Sequence, residues 1–280
     1  MIRTRLAALA FALPLLATPA AAQDAKNDSY LKNIELCNSM DRTALDARIG
    51  GCTALIDAGY GTTTALAIAF NNRGNVYVAK GDFDRAIQDF ERSITLDPAY
   101  IKPHNNRGVA YMKKGEHDLA IESFDAAIKL NPNYGGAFAN RAAAYVKKNE
   151  FARAAQDYDE ALRLNPGLEH VWHGRCWARA VLGELQAALE ACNRALQSGL
   201  HNAATYDSLG LIHLKMDQHQ VAIDHYNSAL RHDPKLAAAL YGRGLARLKA
   251  GDQAGSDADI LQARTIAAGI GDDFARYGVK

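Results

Sequence analysis

Bulky and small residues alternate along the chain at a spacing of four, and the arrangement returns every 34 residues. Phe70 stands four before Gly74, His104 before Gly108, Phe138 before Ala142, Trp172 before Cys176, Tyr206 before Gly210 and Leu240 before Gly244. Four residues make about one helical turn, so each pair shares a face, and the small member lets a neighbouring helix approach closely. A second stripe follows in most units, with Ala86 and Phe90, Ala120 and Phe124, Ala154 and Tyr158, Ala222 and Tyr226. Turns fall between the stripes at Gly81-Asp82, Gly115-Glu116, Asn149-Glu150, Gly183-Glu184, Asp217-Gln218 and Gly251-Asp252. A glycine or asparagine there closes one helix in the left-handed conformation, and an acidic residue suits the start of the next. Pro98, Pro132, Pro166 and Pro234 forbid continuation of the second helix.

The pattern predicts an all-α chain of six helix-turn-helix units, starting near Ala67, Ile101, Gly135, Glu169, Ala203 and Ala237 and ending near Ile270. Units of this kind stack on their neighbours into a solenoid. Unit four has Ser198-Gly199-Leu200 in place of its proline, and unit six has Ser256 where alanine is usual, so these are the looser joints. Upstream, Tyr30 to Ala58 reads as a degenerate helical pair, joined to the array by Gly59 to Thr64. Downstream, Asp272 to Tyr277 is expected to form a short capping turn.

The order bulky, glycine, alanine, aromatic, alanine, proline at period 34 resembles the tetratricopeptide repeat (TPR) from Ala67 to Ile270. The resemblance implies a right-handed α-α superhelix, a TPR solenoid, acting as a non-catalytic scaffold for a peptide or protein partner. It also implies a concave groove lined by the first helix of each unit. Carried over residue by residue, the lining is Asn71, Asn72 and Asn75 in unit one, Lys102, Asn105, Asn106, Val109 and Met112 in unit two, and Asn140 in unit three. His173, Trp177, Asp207 and Leu211 continue it. Asparagine both donates and accepts, so such a row can grip the main chain of an extended peptide, and Trp177 offers an apolar anchor. The competing reading is that the asparagines are solvated surface and Trp177 packs between units. The family's carboxylate clamp needs several Lys or Arg on this lining, and Lys102 alone is present. An adaptor of an envelope enzyme such as a protease, docking outside the groove, is the alternative role; a homo-oligomer stays open.

Composition narrows the setting. The chain has 280 residues, 49% of them hydrophobic, which excludes a disordered protein. Lys and Arg number 32 against 31 acidic residues, with no run of five like charges, so a nucleic-acid partner has no support. Arg3 and Arg5, the apolar run Leu6 to Leu16 and Ala20-Ala21-Ala22 read as an export signal cleaved after Ala22. The run is far shorter than the roughly 20 residues that span a bilayer. The expected organisation is a signal peptide over 1–22, a degenerate helical pair and linker over 23–66, the six units over 67–270 and a cap over 271–280, in a periplasmic or secreted protein.

Four cysteines in an exported chain invite pairing, and three connectivities exist. Spacing favours Cys37 with Cys52 and Cys176 with Cys192, one bridge per helical pair. Cys192 occupies the column that holds Phe90, Phe124, Tyr158 and Tyr226 elsewhere, and replacing a ring by a thiol leaves a hole costing several kcal/mol. A bridge to Cys176 offsets that; two buried free thiols are the competing reading. No catalytic or cofactor motif is present, and six units of 34 leave no room for a catalytic domain. His170 and His173 share a helix face, and His213 and His225 lie on the two helices of unit five, but a metal reading lacks a third ligand. Arg73, Arg107, Arg141, Arg175 and Arg243 fill one repeat column, read as stems covering apolar surface with their charges in water.

Overall fold

The computed structural model describes residues 19–59 and 61–279, with side chains from Asn27 onward. Arg3, Arg5 and the apolar run lie outside the described residues. Fifteen helices, and no strand among the described residues, form an α-α solenoid. The N-terminal pair is α1 (Pro19–Asn38) and α2 (Leu45–Ala58), followed by α3 (Thr63–Lys80) with α4 (Phe83–Leu96) and α5 (Ile101–Lys114) with α6 (His117–Leu130). Then come α7 (Gly135–Lys147) with α8 (Phe151–Leu164), α9 (Glu169–Leu182) with α10 (Leu185–Gln197), and α11 (Ala203–Lys215) with α12 (His219–His232). α13 (Ala237–Lys249), α14 (Gln253–Ile266) and the short α15 (Ile270–Arg276) complete the chain.

Five of the six unit starts coincide with the expected residues. Unit one begins earlier, at Thr63, because the Thr62 hydroxyl accepts the Ala65 N–H and caps the helix inside the expected linker. α1 is also longer than expected and runs through Ala22. The turns close as the sequence implies: Gly81, Gly115, Gly183 and Gly251 have positive φ, and so do Asn149 (61°) and Asp217 (58°) where glycine is missing.

Packing turns on a contact sixteen residues long. A Cβ on Gly74 would lie 2.7 Å from the Phe90 ring, one on Gly108 2.5 Å from Phe124, and one on Gly210 2.6 Å from Tyr226. Real Cβ atoms do not come this close, so the small residue sets the helix separation. In unit three Ala142 fills that position, and Tyr158 presses its hydroxyl end on Gly174 of the next unit. Tyr226 is fully buried between Gly210 and Gly242, so one ring spaces two successive units. In unit four no ring is present. Cys176 and Cys192 sit at disulfide distance there with Cα atoms 5.2 Å apart, and Cys37 and Cys52 do so between α1 and α2 at 4.6 Å.

The arginine column departs from its expected chemistry. Its guanidinium groups are not left to water: Arg73 grips Asp89 with two bonds of 2.8 Å, Arg141 grips Asp157 with two of 2.7 Å, and Arg243 grips Asp259 at 2.7 and 2.6 Å. Arg141 also donates to Asp125 at 2.6 Å and Arg243 to Asn227 at 2.8 Å, both on the preceding unit. Each arginine thus staples its own second helix to the one before. Arg107 finds Ser123 at 3.2 Å, and Arg175 turns to Asp159 of the preceding unit at 2.6 Å. Asp89, Asp157 and Asp259 are buried, and an unpaired buried carboxylate costs several kcal/mol, which is why each has a forked partner.

Gly242→Ala is expected to lower stability by about 2 kcal/mol, since its methyl meets a Tyr226 ring already held by Gly210. Gly50→Ala, in α2 with nothing near the new methyl, should raise it by up to about 1 kcal/mol through helix propensity. Urea midpoints at unchanged slope measure both. A neutral Gly242→Ala would remove the ring as the spacer.

Candidate protein-interaction groove

The first helices lie side by side, so each presents its fifth and sixth positions to the units before and after it. Asn72 Nδ2 donates to Asn38 at 2.9 Å, Asn106 to Asn71 at 3.0 Å and Asn140 to Asn105 at 2.9 Å. Within a helix Asn71 donates to Asn72 at 3.3 Å and Asn105 to Asn106 at 3.4 Å. The result is an unbroken ladder of amides from α1 to α7. An amide carries donor and acceptor together, so identical side chains can satisfy one another repeatedly. This corrects the expectation that all six groove asparagines wait for a partner. Asn71 and Asn105 are 2% and 7% exposed and belong to the joints between units. Asn72, Asn106 and Asn140 are half-buried with their amides engaged, whereas Asn75 and Lys102 are exposed and Val109 and Met112 half-buried.

The two ends of the array differ. At the N-terminal end an open cleft of about 550 Å³ is lined by Asn72 and Asn75 together with Asn38, Met40, Arg42 and Arg48. Asn38 and the α1–α2 loop were invisible to the repeat pattern, because they precede it. At the other end Trp177, Asp207 and Leu211 lie under the C-terminal segment, and His173 is half-buried one turn before Trp177. Tyr277 meets the Trp177 ring edge-on with centroids 5.0 Å apart, and Lys215 Nζ donates to the Tyr277 carbonyl at 2.8 Å. Asp207 and Leu211 are therefore buried rather than open lining.

Asp207 has no ladder partner. It occupies the column of Asn71 and Asn105, but the position that should face it is Gly242, whose space the Tyr226 ring fills. One carboxyl oxygen and the Tyr226 hydroxyl are both buried without a hydrogen bond. Burial pushes the Asp207 carboxyl up to about 7. His173, whose Nε2 lies 3.3 Å from Ser208 Oγ at the ladder position, is pushed down by burial. His213 and His225 stack with ring centroids 5.0 Å apart.

Comparison with curated proteins finds no match. Against protein families, TPR repeat matches residues 74–115 and tetratricopeptide repeat matches 101–134, 136–168 and 208–268. The chain belongs to the tetratricopeptide repeat family. Among solved structures, a tetratricopeptide repeat protein from Parabacteroides merdae is 16% identical with a TM-score of 0.63, over 90% of this chain and 99% of that one. The Cut9-Hcn1 hetero-tetramer of APC/C matches at 16% identity and TM-score 0.65 over 90% of this chain and 52% of that chain, so this protein spans about half its length. YrrB, described as a TPR protein with an unusual peptide-binding site, is 18% identical with a TM-score of 0.51, over 67% of this chain and 95% of that one. Likeness at these identities establishes the fold.

In this TPR protein the Asp207 carboxyl makes stability depend on pH with a definite sign. Its folded value lies above the ordinary 3.8, so folding favours the protonated form. That contribution is complete below about pH 4 and is lost as pH rises towards 7. Asp207→Asn carries no charge and restores the residue of units one and two. Its advantage over the parent should grow between pH 4 and 7 to at most about 4 kcal/mol. Thermal midpoints across that range test this, and parallel curves would mean the carboxylate is ionised and satisfied.

Proposed function

We propose that the protein is a non-catalytic interaction scaffold of the bacterial envelope that takes a peptide or protein partner on its concave face, at the N-terminal end. The open cleft beside Asn72 and Asn75 carries this reading. Met40 there is 87% exposed, and Arg42 and Arg48 line the same cleft as the amides of Asn38, Asn72 and Asn75. Such a wall suits main-chain groups and acidic side chains. A preformed curved surface also spares the entropy cost of ordering the receptor. The envelope setting is supported by Arg3, Arg5, the apolar run and Ala20-Ala21-Ala22, and by two cysteine pairs in bridging positions. No described helix is long and apolar enough to cross a membrane.

A photo-crosslinking residue at Asn75 should capture the partner in the producing cell, and one at the exposed Glu122 of α6 should not. Capture at Glu122 alone would transfer binding to the outer face and favour the adaptor role. Export is checked separately. Intact mass of material from the envelope should place the N-terminus at Gln23, with no thiol labelled before reduction. An N-terminus at Met1 and four reactive thiols would remove the envelope assignment.

A further inference from the structure

A terminal cap needs to cover only the last unit, yet this one touches four. α15 leaves unit six at Ile270, and Phe274 packs on Tyr241 with ring centroids 5.0 Å apart. Tyr277 then reaches back to Trp177 of unit four at 5.0 Å and Phe151 of unit three at 6.3 Å. Tyr241 and Trp177 stand in the columns that line the concave face, so the segment runs along the inside of the curve. Lys215 fixes its end, donating to the carbonyls of Tyr277 (2.8 Å), Ala180 (2.8 Å) and Val181 (3.0 Å). Ile270, Phe274 and Val279 are buried. Beneath lies Asp207, buried with one oxygen unpartnered, a polar group left over by the static packing. Leu211 is 1% exposed, while Asn75 and Val109 in the same column, beyond the reach of the segment, are exposed and half-buried.

We infer that the concave surface of units four to six is a recognition site for a helical turn bearing two aromatic residues three apart and a β-branched residue two further on. Residues 270–279 are its intramolecular occupant, displaced by a partner segment of the same chemistry. The inference rests on the groove reading above and extends it to the opposite end. Tethering supplies the occupant at an effective concentration in the millimolar range, so even a modest intrinsic affinity keeps the site filled until a competitor arrives. Phe274 and Tyr277 sit one helical turn apart and so face the same way, and the lysine grips main chain rather than a side chain. A foreign segment therefore needs the rings and the turn and not the remaining residues.

The probe is a synthetic peptide spanning Ile270 to Val279, titrated into full-length protein by calorimetry. The full chain carrying Phe274→Ser and Tyr277→Ser should bind it, and the parent should bind at least about tenfold more weakly because its own segment competes. Adding Trp177→Ala to the double variant should abolish binding. Tyr277→Ala alone, which leaves Phe274 on Tyr241 and so spares unit six, should bind with intermediate affinity and guards against a double variant that loses helicity. No binding to helical Tyr277→Ala protein overturns the inference and makes the segment a fixed cap. Equal binding to parent and variants also overturns it, since the peptide would then sit elsewhere. Partner capture at Asn75 is read in the parent chain, so it can stand while this inference falls.

Discussion

The approach of a glycine to an aromatic ring sixteen residues later decides the spacing of the two helices in a unit, and the character of the groove follows from it. A phenylalanine at that position, as in units one and two, ends short of the next unit. The following first helix can then carry Asn106 or Asn140, and the amide ladder runs on. A tyrosine is one oxygen longer. Tyr158 and Tyr226 push that oxygen into the next unit, and only Gly174 and Gly242 leave room for it. The ladder stops at both places, and at the second it strands Asp207 without a partner. One hydroxyl on a packing ring thereby sets the polarity of the concave face some distance away.

Unit four shows what happens when the ring is withdrawn. Cys192 brings no bulk to the joint, and the link to Cys176 closes a loop of sixteen residues, worth about 3 kcal/mol in the chain-entropy picture. With no tyrosine pressing forward, the next unit can hold a side chain again. Ser208 faces His173 at the position that Gly174 and Gly242 hold in units four and six. The arginine staples obey the same geometry from the other side of the joint. They lie across the second helices, where the positions sixteen residues forward and sixteen back place acceptors on both units, Asp157 and Asp125 for Arg141, Asp259 and Asn227 for Arg243. Unit five, with Leu209 and His225 in those positions, has no staple of this kind, and stacked rings occupy the site instead.

Much of this was legible in the residues. The period located five unit starts and the left-handed turns, and the column in which Cys192 replaces a ring singled out its partner. A period identifies which residues are equivalent, though, and not which ones meet. Asn106 meets Asn71 because neighbouring first helices are offset by one position, a fact of packing that a column of identical asparagines does not reveal. The same limit applied to the arginines, whose acceptors lie in a different column on a different helix. The C-terminal segment was least legible, for it has no sister units to be compared with. Its one signal was Phe274 and Tyr277 at helical spacing in a stretch expected to form a short capping turn.

The two halves of the groove therefore differ in what a partner must bring. At the N-terminal end the amides already satisfy one another, so a ligand finds a wall whose internal bonds need not be broken, with Asn75, Arg42 and Arg48 left to engage it. Hydrogen bonds to such groups replace bonds to water and contribute about 1 kcal/mol each, which favours specificity over strength. At the other end Trp177, Leu211 and Tyr241 make an apolar floor that, if bare, would be a liability for association with other exposed apolar surfaces. Covering it stabilises by roughly 25 cal/mol for each Å² removed from water, so whatever lies there has to offer comparable apolar area. On the proposed reading a polar peptide does not take the place of Phe274 and Tyr277, and the two ends of the solenoid would select different kinds of segment.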